Sequence, residues 1–286
     1  MVETTNVKTR SGLTFTVDVA GPAGGPLVLL LHGFPESRHS WREALPALGA
    51  AGYRAVAPDQ RGYSPGARPD PTDLSNYAFD RLIDDAIEIA AAAGYADKRF
   101  HLVGHDWGGQ VSWGVAGKYP DRLASLAILS RPHPSSFRRA LLDEASDQKH
   151  RSRHHRAFLE PETGMMLLAG NAKRLREGLS GQGVPAAALE KHLSVLGNPE
   201  ALEGALAWYR SNKGLAADIG TIAVPTLYIW GDADATVGPD AAHGTADFVG
   251  AAYAMEVLPG VGHFVMDQEP NRATELLLAH LQKHPV

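Results

Sequence analysis

The chain has 286 residues, 44% of them hydrophobic, which is enough for one large core. No apolar run approaches the ~20 residues that span a bilayer. A formal net charge of −5 gives no general electrostatic reason to bind nucleic acid, and the absence of cysteine excludes disulfides, thiolate catalysis and cysteine-ligated metals. The polar start, MVETTNVKTR, has no signal-peptide core and, with the missing cysteines, points to the cytoplasm.

Residues 7–10 and 13–19 read as two strands joined at Ser11-Gly12. Thr14, Thr16 and Asp18 alternate there with Leu13, Phe15, Val17 and Val19, the period of a strand with one wet face. Residues 27–31, LVLLL, have no polar face at all, which suits a central strand of a parallel sheet. The loop His32-Gly33-Phe34-Pro35-Glu36 follows. Trp41, Leu45 and Leu48 then mark a helix face, with Pro46 as a kink or a boundary. Residues 53–57 form a strand and residues 58–71 an irregular loop. Phe79, Leu82, Ile83, Ala86, Ile87 and Ala90 define an amphipathic helix.

Arg99 to Gln110, RFHLVGHDWGGQ, carries the strongest signal. A short apolar run at Phe100, Leu102 and Val103 predicts a buried strand. Gly104-His105-Asp106-Trp107-Gly108 then turns into a helix that continues through Tyr119. This is the strand–turn–helix pattern of a nucleophile elbow, with glycines where the turn is too tight for most side chains. Its apex is Asp106, not a serine. Residues 123–129 form the sixth strand. From Arg131 to about Asp218 no strand is expected, and the stretch reads as a helical lid, residues 131–218, inserted into a core of residues 1–130 and 219–286. The alternation resumes with a strand at 225–230, a helix at 239–249, a strand at 251–258 and a helix at 270–282. The fold class is therefore α/β, an eight-stranded, mostly parallel sheet with helices on both faces.

An elbow nucleophile needs an oxyanion hole, a base and a group that orients the base. The backbone N–H groups of Trp107 and Phe34 are the candidates for the hole, because both follow strands that end at the same edge of the sheet. His263, in the glycine-rich loop after the last strand, is the candidate base. Asp234 is the preferred orienting acid, and Asp232 the alternative. His32 and His105 are assigned structural roles.

On these motifs the chain resembles the α/β-hydrolase superfamily over nearly its whole length. The motifs are His32-Gly33-Phe34-Pro35-Glu36-Ser37, Asp59-Gln60-Arg61-Gly62-Tyr63-Ser64, Gly104-His105-Asp106-Trp107-Gly108-Gly109, Trp208-Tyr209-Arg210 and Gly262-His263. The branch it resembles most is the epoxide hydrolases. That resemblance implies a triad of Asp106, Asp234 and His263, and a lid tyrosine that hydrogen-bonds the epoxide oxygen. It implies a small-molecule substrate, no cofactor and no metal. No nucleic-acid or membrane partner is expected, and the chain is expected as a monomer or homodimer.

The residue at the apex narrows the chemistry on its own. Attack by a serine on saturated carbon would leave an ether, a dead end. Attack by a carboxylate leaves an ester, which water can cleave. Asp106 thus predicts displacement at sp³ carbon, of an epoxide or a halide. An epoxide opens to a basic alkoxide and needs a strong donor, for which Tyr209, in Ala207-Trp208-Tyr209-Arg210, is the candidate. The resemblance implies an earlier lid tyrosine as its partner, but that stretch reads Arg153-His154-His155-Arg156, so His154 or His155 is expected in its place. The alternatives are a haloalkane dehalogenase and a small-molecule receptor on a hydrolase scaffold. Against the first, Phe34 has no side-chain donor for a halide. Fluoroacetate dehalogenases, which the chain also resembles, place arginines where Trp107 and Gln110 stand. Four cations and three histidines between Lys149 and Arg156 read as a solvated helix face, not a nucleic-acid patch.

Overall fold

The computed structural model describes residues 1–213 and 219–286. Eight strands form one sheet: β1 (Val2–Lys8), β2 (Thr14–Ala20), β3 (Leu27–Leu31), β4 (Arg54–Pro58), β5 (Phe100–His105), β6 (Leu123–Leu129), β7 (Thr226–Gly231) and β8 (Tyr253–Leu258). Their order across the sheet is β1-β2-β4-β3-β5-β6-β7-β8. β2 pairs antiparallel with β1 and β4, and every other pairing is parallel.

Three helices precede or follow the central strands in the first half: α1 (Ala44–Ala50), α2 (Phe79–Ala90) and α3 (Trp107–Lys118). Between β6 and β7 come α4 (Pro134–Leu142), α5 (Gln148–Arg151), α6 (His154–Phe158), α7 (Thr163–Ser180), α8 (Ala186–Leu196) and α9 (Pro199–Ser211). Then follow α10 (Pro239–His243), α11 (Val265–Gln268) and α12 (Pro270–Lys283). Alternate residues of β3 feed two cores. Leu27, Leu29 and Leu31 pack with Leu82, Ile83 and Val111 of α2 and α3, while Val28 and Leu30 pack with Leu45, Leu48 and Leu277 of α1 and α12. Two covered faces explain why β3 has no polar side.

Several boundaries differ from the sequence expectation. The first strand runs over Val2–Lys8, not 7–10. It is an exposed edge held by backbone pairing to β2, so it shows no apolar period. Asp18, expected on a wet face, is buried, where it accepts from Thr4 at 2.6 Å and pairs with Arg38 at 3.1 Å. Pro46 lies in the first turn of α1, where its missing N–H has no intrahelical partner to lose. It marks the start of the helix, and Trp41 ends a separate 3₁₀ turn before it. The helix expected over 239–249 stops at His243, and Gly244–Phe248 continues as a 3₁₀ turn. There the Thr245 hydroxyl accepts the backbone N–H of His133 at 3.1 Å and so faces the β6–α4 connection.

Between β6 and β7 the described residues form helices and connecting turns, with one isolated bridge from Ile222 to Val249, and residues 214–218 of the expected lid lie outside the described residues. This helical segment is tied to the loops at the sheet's carboxyl edge. Trp208 Nε1 donates to the Arg61 carbonyl at 2.9 Å and Asn212 Nδ2 to the Tyr77 carbonyl at 2.9 Å. Gln148 Nε2 donates to the Thr236 carbonyl at 2.8 Å.

Candidate active site

Asp106 sits between β5 and α3 at φ 47°, ψ −116°, a conformation a non-glycine residue adopts only under constraint. The turn is as tight as its glycines suggest: a Cβ on Gly108 would lie 2.2 Å from the Leu31 carbonyl oxygen. This geometry presents the Asp106 carboxylate at the carboxyl edge of the central strands, where open α/β sheets place ligands.

One carboxylate oxygen, Oδ1, accepts the backbone N–H of Phe34 at 3.0 Å. The other, Oδ2, lies 3.5 Å from His263 Nε2. Trp107 is the first residue of α3, so its N–H has no carbonyl partner within the helix. His263 Nδ1 meets Asp234 Oδ2 at 2.9 Å. The other oxygen of Asp234 accepts the N–H groups of Thr236 at 2.7 Å and Val237 at 3.0 Å, which fixes the carboxylate. Asp232 lies away from this cluster and accepts the Gly260 N–H at 2.7 Å, so between the two aspartates the imidazole meets Asp234.

Burial alone would lower the pKa of His263, but the Asp234 and Asp106 carboxylates outweigh it and raise the imidazole to about 10. Burial would raise Asp106. Its contact with His263 prevails and holds it well below the usual carboxylate range. The resting pair is therefore a carboxylate facing an imidazolium.

The histidines given structural roles are both engaged. His32 Nδ1 donates to the Gly33 carbonyl at 2.9 Å, and Nε2 accepts the Gln60 N–H at 3.3 Å. His105 meets Glu36 Oε2 at 2.6 Å and donates to the His263 carbonyl at 2.9 Å. Burial disfavours a charge on His105, yet the Glu36 carboxylate raises its pKa. The elbow histidine thus holds the backbone of the His263 loop, a role whose only sequence signal was its place beside Asp106. Glu36, His192 and Asp267 bring three metal-capable atoms together, but the group already has partners: Glu36 on His105, and Asp267 on His192 at 3.0 Å and on Arg42 at 2.5 Å.

The helical segment supplies the opposite wall. A cavity of about 590 Å³ is lined by Asp106, His263, Phe34, Tyr209, His154 and Phe158, among others. Tyr209 of α9 packs edge-on against Phe34 at 5.5 Å, Trp107 at 5.1 Å and Phe158 at 4.8 Å between ring centroids. Burial together with the Asp106 charge keeps the Tyr209 phenol protonated well above its ordinary pKa, against a smaller opposing effect of the neighbouring Trp107 indole. The two histidines separate. His154 lines the cavity with Asp106 and Tyr209, whereas His155 packs its ring against Tyr209 at 5.5 Å and lines a second cavity. His154 Nδ1 donates to the Arg151 carbonyl at 3.0 Å. Burial lowers both imidazoles, His155 to about 3. Phe158 was not singled out by sequence reasoning, because an apolar ring in a short helix gives no sign of which cavity it will wall.

Residues 26–270 match the α/β-hydrolase fold family. The chain belongs to that family. It is 32% identical to epoxide hydrolase A of Mycobacterium tuberculosis, covering 95% of each chain. It is 33% identical to mouse epoxide hydrolase 4, over 96% of this chain and 77% of the relative. Among solved structures, epoxide hydrolase A from Mycobacterium thermoresistibile superposes with a TM-score of 0.84 at 28% identity, covering all of both chains. Among α/β-hydrolases, then, this one is similar to epoxide hydrolases over nearly its full length. No helix among its described residues is long and apolar enough to cross a membrane.

Proposed function

We propose that the protein hydrolyses an epoxide to a vicinal diol through a covalent ester on Asp106, with residues 131–218 acting as the lid of a core formed by 1–130 and 219–286. The observation that carries this reading is a carboxylate at the elbow apex, with one oxygen on the Phe34 N–H and the other facing His263, across a cavity from a protonated tyrosine.

In the first step Asp106 Oδ2 attacks a ring carbon. The carbon–oxygen bond breaks with its electron pair on oxygen, and that oxygen takes the Tyr209 proton. Esterification removes one of the two negative charges that hold His263 protonated, so its pKa falls and it loses its proton. His263, oriented by Asp234, then takes a proton from water as the water attacks Asp106 Cγ. The Phe34 N–H, already on Oδ1, stabilises the tetrahedral oxyanion, with the Trp107 N–H as second donor. Collapse releases the diol, whose oxygen takes the proton from His263. The proton left on Asp106 restores the His263 imidazolium that faces it, and the proton His263 gave up after esterification restores the Tyr209 phenol, so the net change is epoxide plus water to diol.

His154 is the second group on the oxygen side. Its Nδ1 proton is engaged by Arg151, so it donates through Nε2 only as an imidazolium. Tyr209 is therefore the donor at neutral pH. The cysteine-free composition fits a reducing compartment, and the proposed location is cytoplasmic.

A single turnover with enzyme in excess in ¹⁸O-water tests the scheme. Mass spectrometry of the Asp106 peptide is expected to show label in its carboxylate. Label in the diol alone overturns it. A parallel assay for released halide with chloro- and bromoalkanes separates the dehalogenase reading.

A further inference from the structure

Tyr209 walls two cavities. The second, of about 360 Å³, lies toward Trp107, Gln110 and His155, and among the described residues its wall includes Arg131, Arg138, Arg156 and Lys213 but no aspartate or glutamate. Arg131 follows β6 at the sheet's carboxyl edge, beside the strand that carries Asp106. Its Nε donates to Gln110 Oε1 at 2.9 Å, and its guanidinium carbon stands 4.5 Å from the Phe137 ring centroid. Among the described residues no carboxylate forms an ion pair with it. Gln110 is 1% exposed and its Nε2 donor has no partner.

Two guanidinium nitrogens and a buried amide N–H are thus left to a cavity that the described residues line with cations and with no anion. A partly buried cation without a counter-charge and a buried unmet donor both favour a partner that accepts from them. Among the described residues Asp106 is the carboxylate that acts electrostatically on Arg131, and the proposed ester neutralises it. We propose that Arg131 and Gln110 form a carboxylate-binding subsite, so that the epoxide opened on Asp106 is an epoxy acid. This rests on the epoxide hydrolase reading above. The guanidinium fork matches the two oxygens of a carboxylate, and Gln110 both orients that fork and adds a third donor. With the oxirane oxygen at Tyr209, the carboxylate reaches the second cavity past the edge of the same ring, which calls for a short chain between the two groups.

The experiment compares terminal epoxides bearing an ω-carboxylate with the matching primary amides, over chains of two to eight methylenes, by kcat/KM at pH 7.5. The wild type is expected to prefer the acid tenfold or more at a favoured length. Arg131→Met is expected to collapse that acid-to-amide ratio toward one, with Arg131→Lys keeping part of it. Hexanoate should also inhibit hydrolysis of a neutral epoxide by the wild type at least tenfold more strongly than hexanamide, a readout that needs no variant. Turnover of acids and amides at equal rates for every length, or equal inhibition by the two, overturns the subsite and leaves the epoxide hydrolase reading intact. Turnover of no epoxide of either kind overturns that reading itself.

Discussion

The two walls of the candidate site are built on different principles. The sheet wall is made of charges and backbone donors fixed by strand ends: Asp106 on Phe34 N–H, His263 on Asp234, and Asp234 on two N–H groups. The helical wall is made of rings. Tyr209 is held by aromatic edges, and His154 and Phe158 sit on a five-residue helix. In a hydrogen-bonded charge cluster, loss of one member leaves the others buried and unpaired. A wall of rings loses packing in smaller increments. The sheet wall should therefore fail abruptly under substitution and the helical wall by degrees.

Substitution of the apex tests the steep side first. Asp106→Asn should lower kcat on any epoxide by at least ~10⁴-fold, as loss of an activated nucleophile does in comparable hydrolases. The same change removes one of the anions beside His263, so its pKa should fall from about 10, as ¹⁵N NMR of the imidazole would register. The sign of the stability effect follows. A raised imidazole stabilises the fold fully below about 6.5, its ordinary value, and that stabilisation is lost as pH rises through about 10. Melting temperature should thus drop more between pH 7 and 10 in the wild type than in Asp106→Asn, and parallel curves would contradict the assigned cause.

Removing the base should split the reaction in two. His263→Gln should still form the ester but release it on the order of 10³-fold more slowly, so intact mass after mixing should show one covalent adduct. On the helical side, Tyr209→Phe should slow ring opening by on the order of 10²-fold without adduct build-up, since it removes a proton donor and leaves the hydrolytic half untouched.

A smaller effect probes how the two walls meet. Gly62 has φ +88°, and a Cβ there would lie 2.7 Å from the Gly204 carbonyl carbon of α9. Gly62→Ala should cost about 1–3 kcal/mol of stability and shift the helical segment, read as a lower melting temperature and a raised KM. The weakest effect concerns His154, which donates only when protonated and whose pKa is lowered by burial. Residual activity of Tyr209→Phe should rise as pH falls, and adding His154→Asn should remove that rise. A pH profile unchanged by the second substitution would take His154 out of the oxygen side.

Legibility in the sequence followed the same division. Leu27–Leu31 and Leu123–Leu129 match their expected bounds because a doubly covered strand must be apolar throughout. β1 was misplaced because an exposed edge strand is specified by its partner's backbone and not by its own side chains. The elbow was readable because a turn that admits no side chain must be written in glycine. The choice between Asp234 and Asp232 was open, since both sit on one short loop and only the path of that loop aims one of them at His263.

The order of elements, the turn that exposes a carboxylate and the kind of carbon such a nucleophile attacks were set by the sequence alone, because each depends on residues within a few positions of one another. Which cavity His154 and His155 each face, how Phe158 backs Tyr209, and that Arg131 is left with a glutamine and no acid were decided by tertiary packing. Those walls join side chains far apart in the chain, such as Phe158 with Tyr209 and Trp107 with Tyr209, across a helical segment and a strand end. No local periodicity constrains such a meeting. It is fixed only when the two surfaces close and each buried group finds, or fails to find, a partner.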